Sequence, residues 1–372
     1  MEKFDVIVVG SGFGGSVAAM RLAQKGYRVA VLEMGKRYDA EDFPKTNWQL
    51  KKFFWIPFLR CFGFQKITWM KGLMLFHGIG VGGGSLVYAN TLMKPLDPVF
   101  ADSGWPKTKG KDLSWKTELE SHYQEATRML GVTTSPFVFE GEEALRSVGE
   151  KLGVASTFHS TEVGVYFGKQ DLKIDPYFCG QGPQRMGCNY CGGCLVGCRY
   201  LAKNTLDLNY LYFAEKWGTQ IFPEVKVTKI TPASDEPGYW LETQESTSIR
   251  GKSGARFFAK KVVLSAGVLG NLELLFKNRD LYKTLPNLSE KLGEIVRTNG
   301  ESLVGATSFN RERDFSKGIA IGGAIHPNDK MKIENVRYPS GSGAMRFFAV
   351  PLVSSSVQWL RPFKMLGIMI FY

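Results

Sequence analysis

The first 33 residues constrain the fold of this chain more than any other stretch. An apolar run from Phe4 to Val9 leads into Gly10-Ser11-Gly12-Phe13-Gly14-Gly15. A helix-like segment then reaches Gly26, and a second apolar run from Arg28 ends in Glu33. Strand, glycine turn, helix, strand and acid in that order predict a βαβ nucleotide-binding unit. Gly10 suits the tight turn, Gly12 lets the backbone approach a pyrophosphate, and Gly15 lets helix and strand pack closely. The free N–H groups at the helix start face the phosphates, and Glu33 is placed to accept the hydroxyls of an adenosine ribose. A glycine loop alone is a weak signal, but all five parts in register are not.

The first strand begins four residues from the start, which leaves no room for a leader and predicts a cytoplasmic protein. Five of the six cysteines lie between 179 and 198, a distribution that fits reduced thiols better than a disulfide framework. At 372 residues the chain can hold two domains or one large discontinuous one. The expected class is α/β, with a discontinuous Rossmann-like domain from 1–100 and 199–304. A helical insertion with the cysteine-rich segment occupies 101–198, and a substrate-binding α+β domain begins at 305–372.

Net charge is +12, from 47 basic and 35 acidic residues. No helix-turn-helix, zinc-finger or RNA-recognition pattern accompanies it, so nucleic acid is excluded as a partner. Part of the excess falls between Phe43 and His77, where Lys45, Lys51, Lys52, Arg60, Lys66 and Lys71 meet no acid at all. Interleaved Trp48, Phe53, Phe54, Trp55, Phe58, Phe62, Phe64, Trp69 and Phe76 allow two readings: an interfacial membrane contact, or a flap whose rings bury in the protein itself. No run there is long and apolar enough for a transmembrane helix.

A second glycine loop, Gly78-Ile-Gly80-Val-Gly82-Gly83-Gly84-Ser85-Leu-Val-Tyr88-Ala89-Asn90-Thr91, is too apolar for a linker. It predicts main chain laid against a flat ring system or pyrophosphate, followed by a strand-like Ser85–Tyr88. Helices are expected over 115–130, 142–152 and 204–216. Strands are expected at 220–222, 225–230, from 238, and in a charged segment ending near Ala259. Lys260–Leu264 into Gly267–Leu275 reads as a second strand–turn–helix.

Three blocks together resemble the GMC (glucose–methanol–choline) flavoprotein oxidoreductases, and within them the cholesterol oxidase branch. These are the Gly10 loop with Glu33, Gly80-Val-Gly-Gly-Gly-Ser-Leu-Val87, and Val263-Leu-Ser-Ala-Gly-Val-Leu-Gly270. The resemblance implies FAD as cofactor and oxidation of an alcohol to a carbonyl, with a sterol or other hydrophobic alcohol as substrate. It implies Gly10, Gly12, Phe13, Gly14 and Gly15 at the pyrophosphate and Glu33 at the ribose. Gly83, Gly84, Ser85, Tyr88, Ala89, Asn90 and Thr91 would follow the flavin side, and Val227 would meet the adenine. Tyr88-Ala89 departs from the branch's Asn-Gly, which puts an asparagine contact there in doubt.

The family's catalytic histidine motif has no counterpart among His77, His122, His159 and His326. Glu334, in a stretch resembling the one that supplies a carboxylate base, is a candidate proton acceptor; its competing reading is a surface Glu beside Lys330 and Lys332. The apolar run ending at Tyr372 reads as a chain cut short. Cys188-x-x-Cys191-x-x-Cys194-x-x-x-Cys198 has the spacing of a [4Fe–4S] loop, with a reduced thiol-rich turn as the alternative and zinc a weaker fit. The rival functions are a flavin/iron–sulfur dehydrogenase and an FAD-binding fragment that turns nothing over.

Overall fold

The structure is a computed structural model and describes residues 3–107, 114–248, 251–306, 308, 310, 312–348, 353 and 357–371. Its centre is a six-stranded sheet. β1 (Lys3–Val9) lies between β2 (Val29–Leu32) and a long strand, Ser253–Leu264, with Val9 opposite both Leu32 and Leu264. Both faces of β1 and β2 are covered, which is why they read as unbroken apolar runs rather than as alternation. Between them α1 (Phe13–Gln24) crosses over and buries Gly15, Ser16, Ala19, Met20 and Ala23. Gly15, Ser16, Ala19 and Ala23 are small enough to let the helix lie close to the sheet.

The β3–β4 hairpin (Gln65–Met70 and Leu73–Gly78) follows, and then the helices α2 (Trp115–Met129) and α3 (Glu140–Lys151) at the places expected. Within the expected 204–216 helix, a short 3₁₀ turn, Leu206–Leu208, precedes α4 (Tyr210–Lys216). The main sheet resumes with β6 (Gln220–Phe222), parallel to β2 at one edge; β5, His159–Ser160, belongs to a smaller sheet. β7 (Val225–Pro232), β8 (Tyr239–Glu245) and β9 (Ser253–Leu264) form an antiparallel meander that ends parallel to β1. The expected break near Ala259 does not exist. Lys260 and Lys261 stay in strand because only their side chains leave the sheet, and β9 runs on to Leu264 before α5 (Gly267–Phe276).

The smaller sheet joins β5 to β10 (Gly323–Asn328), which pairs with β11 (Met331–Glu334). It is fastened to α3 through Glu142, buried and bound by Arg337 and by Asn335 Nδ2 at 2.9 Å, while Phe139 N donates to the other carboxylate oxygen at 2.9 Å.

The rings of the basic aromatic segment are partly buried and partly exposed. Phe43, Phe53, Phe54 and Phe64 pack with Leu86 and Val196 in one buried cluster. Phe58 and Trp69 stand 79% and 64% exposed, beside Leu59, Met70, Arg60 and Lys71. Among the described residues no helix is long and apolar enough to cross a membrane.

Candidate functional site

Both glycine loops converge at the C-terminal ends of β1 and β2. Gly10 adopts φ +96, and a Cβ there would come within 2.5 Å of Ser265 O, so the turn accepts only glycine. α1 starts at Gly12 with no side-chain cap, leaving its first N–H groups for a ligand. Beside Gly12 and Gly14 there is open space: a Cβ at Gly12 would meet nothing within 4 Å, and at Gly14 only Ser265 Oγ at 3.9 Å.

Glu33 stands at the end of β2 as predicted, 6% exposed, but its carboxylate is already shared. Oε2 accepts from Ser11 N at 3.0 Å and Ser11 Oγ at 2.7 Å; Oε1 accepts from Gly35 N at 2.8 Å and Gly80 N at 3.3 Å. Glu33 therefore fastens the first loop to the second. Ser11, which completes this clasp and also receives Gly82 N at 3.1 Å, was missed in the sequence, where it is merely the variable residue of the glycine motif. Val227 lies in the core with Ala30 and Leu32, and Val225 N donates to Glu33 O at 2.8 Å. Val227, the residue expected at the adenine, thus lies on the strand whose start is hydrogen-bonded to Glu33.

The second loop does not continue as a strand. Gly83–Leu86 is a 3₁₀ turn, because Ser85 Oγ donates back to Gly82 O at 2.7 Å and accepts from Leu206 N at 3.0 Å. Phe13 sits edge-on to Tyr88 with ring centres 6.0 Å apart, close to Gly84. Tyr88 donates to Asn204 O at 2.8 Å, and burial pushes its phenol pKa strongly up. Ala89 packs on an apolar cluster, and Thr91 bridges Val163. Asn90 is fully buried at φ +65, and neither its Oδ1 nor its Nδ2 has a partner. A buried amide left so is costly without a ligand.

The structure does not gather every predicted residue here. Glu334 belongs to the small sheet, opposite Ala324, with Lys332 Nζ 2.8 Å from Oε1. Its surroundings are Lys332 and the stacked rings of His159 and His326, 5.3 Å apart.

Beneath the second loop lies the cysteine segment. Lys203, buried, donates from Nζ to Leu86 O at 3.0 Å and Cys194 O at 2.9 Å, and lies 4.6 Å from the Tyr88 ring centre. Burial pulls its ammonium pKa down to about 8. Buried Arg185 donates to the carbonyls of Leu201, Lys203 and Leu208 and to Asn204. Neither residue was singled out in the sequence; a Lys flanked by apolar Leu201-Ala202 was the one available signal. Burial raises the Cys188 and Cys191 thiols and pushes Cys194 up to about 12. Cys188, Cys191, Cys194 and Cys198 line one cavity of about 20 Å³, room for a single water-sized body. A four-iron cube does not fit that space, and among the described residues no group of His, Cys, Asp or Glu stands in metal-holding geometry. The structure gives the iron–sulfur reading no support.

Fold and loops define a dinucleotide-binding protein of the Rossmann-like class, and a family described as NAD(P)-binding Rossmann-like domain matches residues 8–38. Cholesterol oxidase of Mycobacterium tuberculosis is 46% identical over 351 residues, covering 92% of this chain and 60% of its own. Cholesterol oxidase of Acinetobacter baumannii is 42% identical over 369 residues, covering 97% and 66%. The chain therefore belongs to the GMC oxidoreductases, in the cholesterol oxidase-like branch, and spans somewhat under two thirds of these relatives' length. Among solved structures, pyridoxine 4-oxidase from Mesorbium loti aligns with a TM-score of 0.45 at 18% identity, over 73% of this chain and 51% of that one.

Proposed function

We propose that this chain binds FAD across its two glycine loops and serves the oxidation of a sterol or similarly hydrophobic alcohol. The observation that carries the reading is the partnerless, fully buried amide of Asn90 on the second loop, with open backbone beside Gly12 on the first. A flavin ring offers acceptors and a donor that such an amide can meet. FAD would supply the redox chemistry by accepting hydride from the carbinol carbon. The chain's own share is to hold and orient. The N-terminus of α1 would take the pyrophosphate, and Glu33 would keep the two loops in register on the ribose side. Phe13 and Tyr88 would wall the flavin side.

Glu334, which lies on the small sheet rather than at the glycine loops, is the proton acceptor in this reading; its buried Oε1 is paired with the Lys332 ammonium at 2.8 Å. The relatives' names, cholesterol oxidase, support a sterol alcohol as substrate. Exposed Phe58, Leu59, Trp69 and Met70 among Arg60 and Lys71 support contact with an anionic lipid surface, where such a substrate resides. The six unpaired cysteines suit a reducing, cytoplasmic compartment.

The test is to reconstitute the chain with FAD, add cholesterol in detergent without oxygen, and follow the flavin absorbance. Bleaching by cholesterol and not by glucose is expected. Failure to retain FAD, or colour that persists with every hydrophobic alcohol, overturns the reading.

A further inference from the structure

Two cations lie buried beneath the second glycine loop. Lys203 and Arg185 are each 1% exposed, a depth at which Lys and Arg are rarely found without a partner. Arg185 is well supplied. Its guanidinium donates to the carbonyls of Leu201, Lys203 and Leu208 and to Asn204. Asp207, the carboxylate beside it, is held by the Thr205 side chain and feels the charge of Arg185 ahead of that of Arg37. Lys203 is placed differently. Its ammonium donates to Leu86 O at 3.0 Å and Cys194 O at 2.9 Å, and lies 4.6 Å from the centre of the Tyr88 ring. Carbonyls and a ring face hold an ammonium without cancelling its unit charge.

The titratable groups that face Lys203 are Cys194, Cys198 and Asp207, with Tyr88 at its ring. Burial raises the Tyr88 and Tyr177 phenols and the Cys188 and Cys194 thiols, which keeps these four neutral at ordinary pH. With Asp207 ionised, two cations and one carboxylate still leave one net positive charge under the loop. The loop above it is the stretch assigned to the flavin. Leu86 and Tyr88, both touched by the ammonium, belong to it, and the partnerless Asn90 amide is two residues further on.

Oxidation of an alcohol breaks the carbinol C–H bond and passes the hydrogen with its electron pair to the flavin, while the hydroxyl proton goes to a base. The ring becomes more negative by one unit, and a fixed positive charge nearby favours that reduced form over the oxidised one. Building on the FAD reading, we propose that Lys203 is a positioning residue for hydride acceptance. Its buried ammonium, held against Tyr88 and Leu86 O, supplies the positive charge that stabilises the reduced flavin and raises its reduction potential. It acts across the Tyr88 ring and through the main chain of the loop.

The experiment is the midpoint potential of FAD bound to the full chain, measured without oxygen or alcohol by slow reduction alongside a reference dye. Lys203→Met, uncharged and close in length, should weaken the preference for the reduced form at least about tenfold, a potential lower by about 30 mV for a two-electron couple. A shift below about twofold, ~9 mV, overturns the proposal. The unaltered chain supplies a second measurement. Burial pulls the Lys203 ammonium down to about 8, so its charge is present below that pH and is lost as pH rises through it. Above about pH 8, reduction must draw a proton back to Lys203, and the potential should fall more steeply with pH than it does below. A merely structural Lys203 leaves that line straight, and a straight line overturns the proposal even where Lys203→Met fails to fold. A parent chain that retains no FAD ends the FAD reading and this one with it. A parent that retains FAD at a potential indifferent to Lys203 ends this one alone.

Discussion

Gly83 rests on Gly12: a Cβ added to Gly83 would come within 2.6 Å of the Gly12 Cα, and Gly83 itself has φ +52. The two glycine loops, seventy residues apart in sequence, therefore touch through backbone. The Glu33 and Ser11 side chains clasp the loops as well, and the two glycines carry different burdens.

Gly83→Ala should destabilise the flavin-free protein by about 1–3 kcal/mol, because the new methyl meets main chain and the left-handed conformation is strained. Gly12→Ala, whose methyl enters open space, should cost the flavin-free protein about 1 kcal/mol or less but abolish FAD retention. Urea unfolding with and without FAD distinguishes the two. Equal destabilisation of both variants would mean that the space beside Gly12 is not a ligand site.

Asn90→Gly keeps the positive φ at no strain and removes two buried polar atoms that have no partner. The flavin-free protein should hold its stability or gain up to about 1 kcal/mol, while FAD binds at least about tenfold more weakly. Calorimetric titration with FAD checks this; unchanged affinity would place the amide away from the flavin.

Glu33→Gln replaces one acceptor oxygen by a donor amide among four donors, Ser11 N, Ser11 Oγ, Gly35 N and Gly80 N. Stability should fall by about 2 kcal/mol or more, with FAD lost alongside. A variant that unfolds at the same urea concentration as the parent would remove Glu33 from the role of clasp.

His77 precedes the second loop, with Nε2 2.9 Å from Thr68 Oγ1; burial first and Lys66 second lower its imidazole to about 4. Its folded pKa lies below the unfolded value near 6.5, so its contribution is complete above about pH 6.5. It is lost as pH falls from there through 4. His77→Gln should flatten that acid limb, measured as Tm against pH; an unaltered limb would assign the loss to other groups.

The βαβ unit was legible in the sequence, and so were α2 and α3, because helix and strand periodicities are local and the glycine spacing is set by one turn. The strand expected at Ser85–Tyr88 was not: a β-rich composition lost to the Ser85 hydroxyl, whose bonds to Gly82 and Leu206 close a 3₁₀ turn. The break expected near Ala259 failed for the converse reason, since β1 pairs on both sides of it, from Phe258 to Leu264, and carries the strand on where β8 stops at Ala259.

The sequence by itself determined that a dinucleotide unit opens the chain, with Glu33 at its second strand end and four cysteines within eleven residues. Only the tertiary structure decided what those residues face. Glu33 divides its oxygens between two loops, and Lys203 reaches back 117 residues to Leu86 O under the Tyr88 ring. Spacing along a chain encodes neighbours within a turn or a strand. A buried charge takes its partner from whatever the packed sheet and loops bring alongside, and that choice is made only when the core closes.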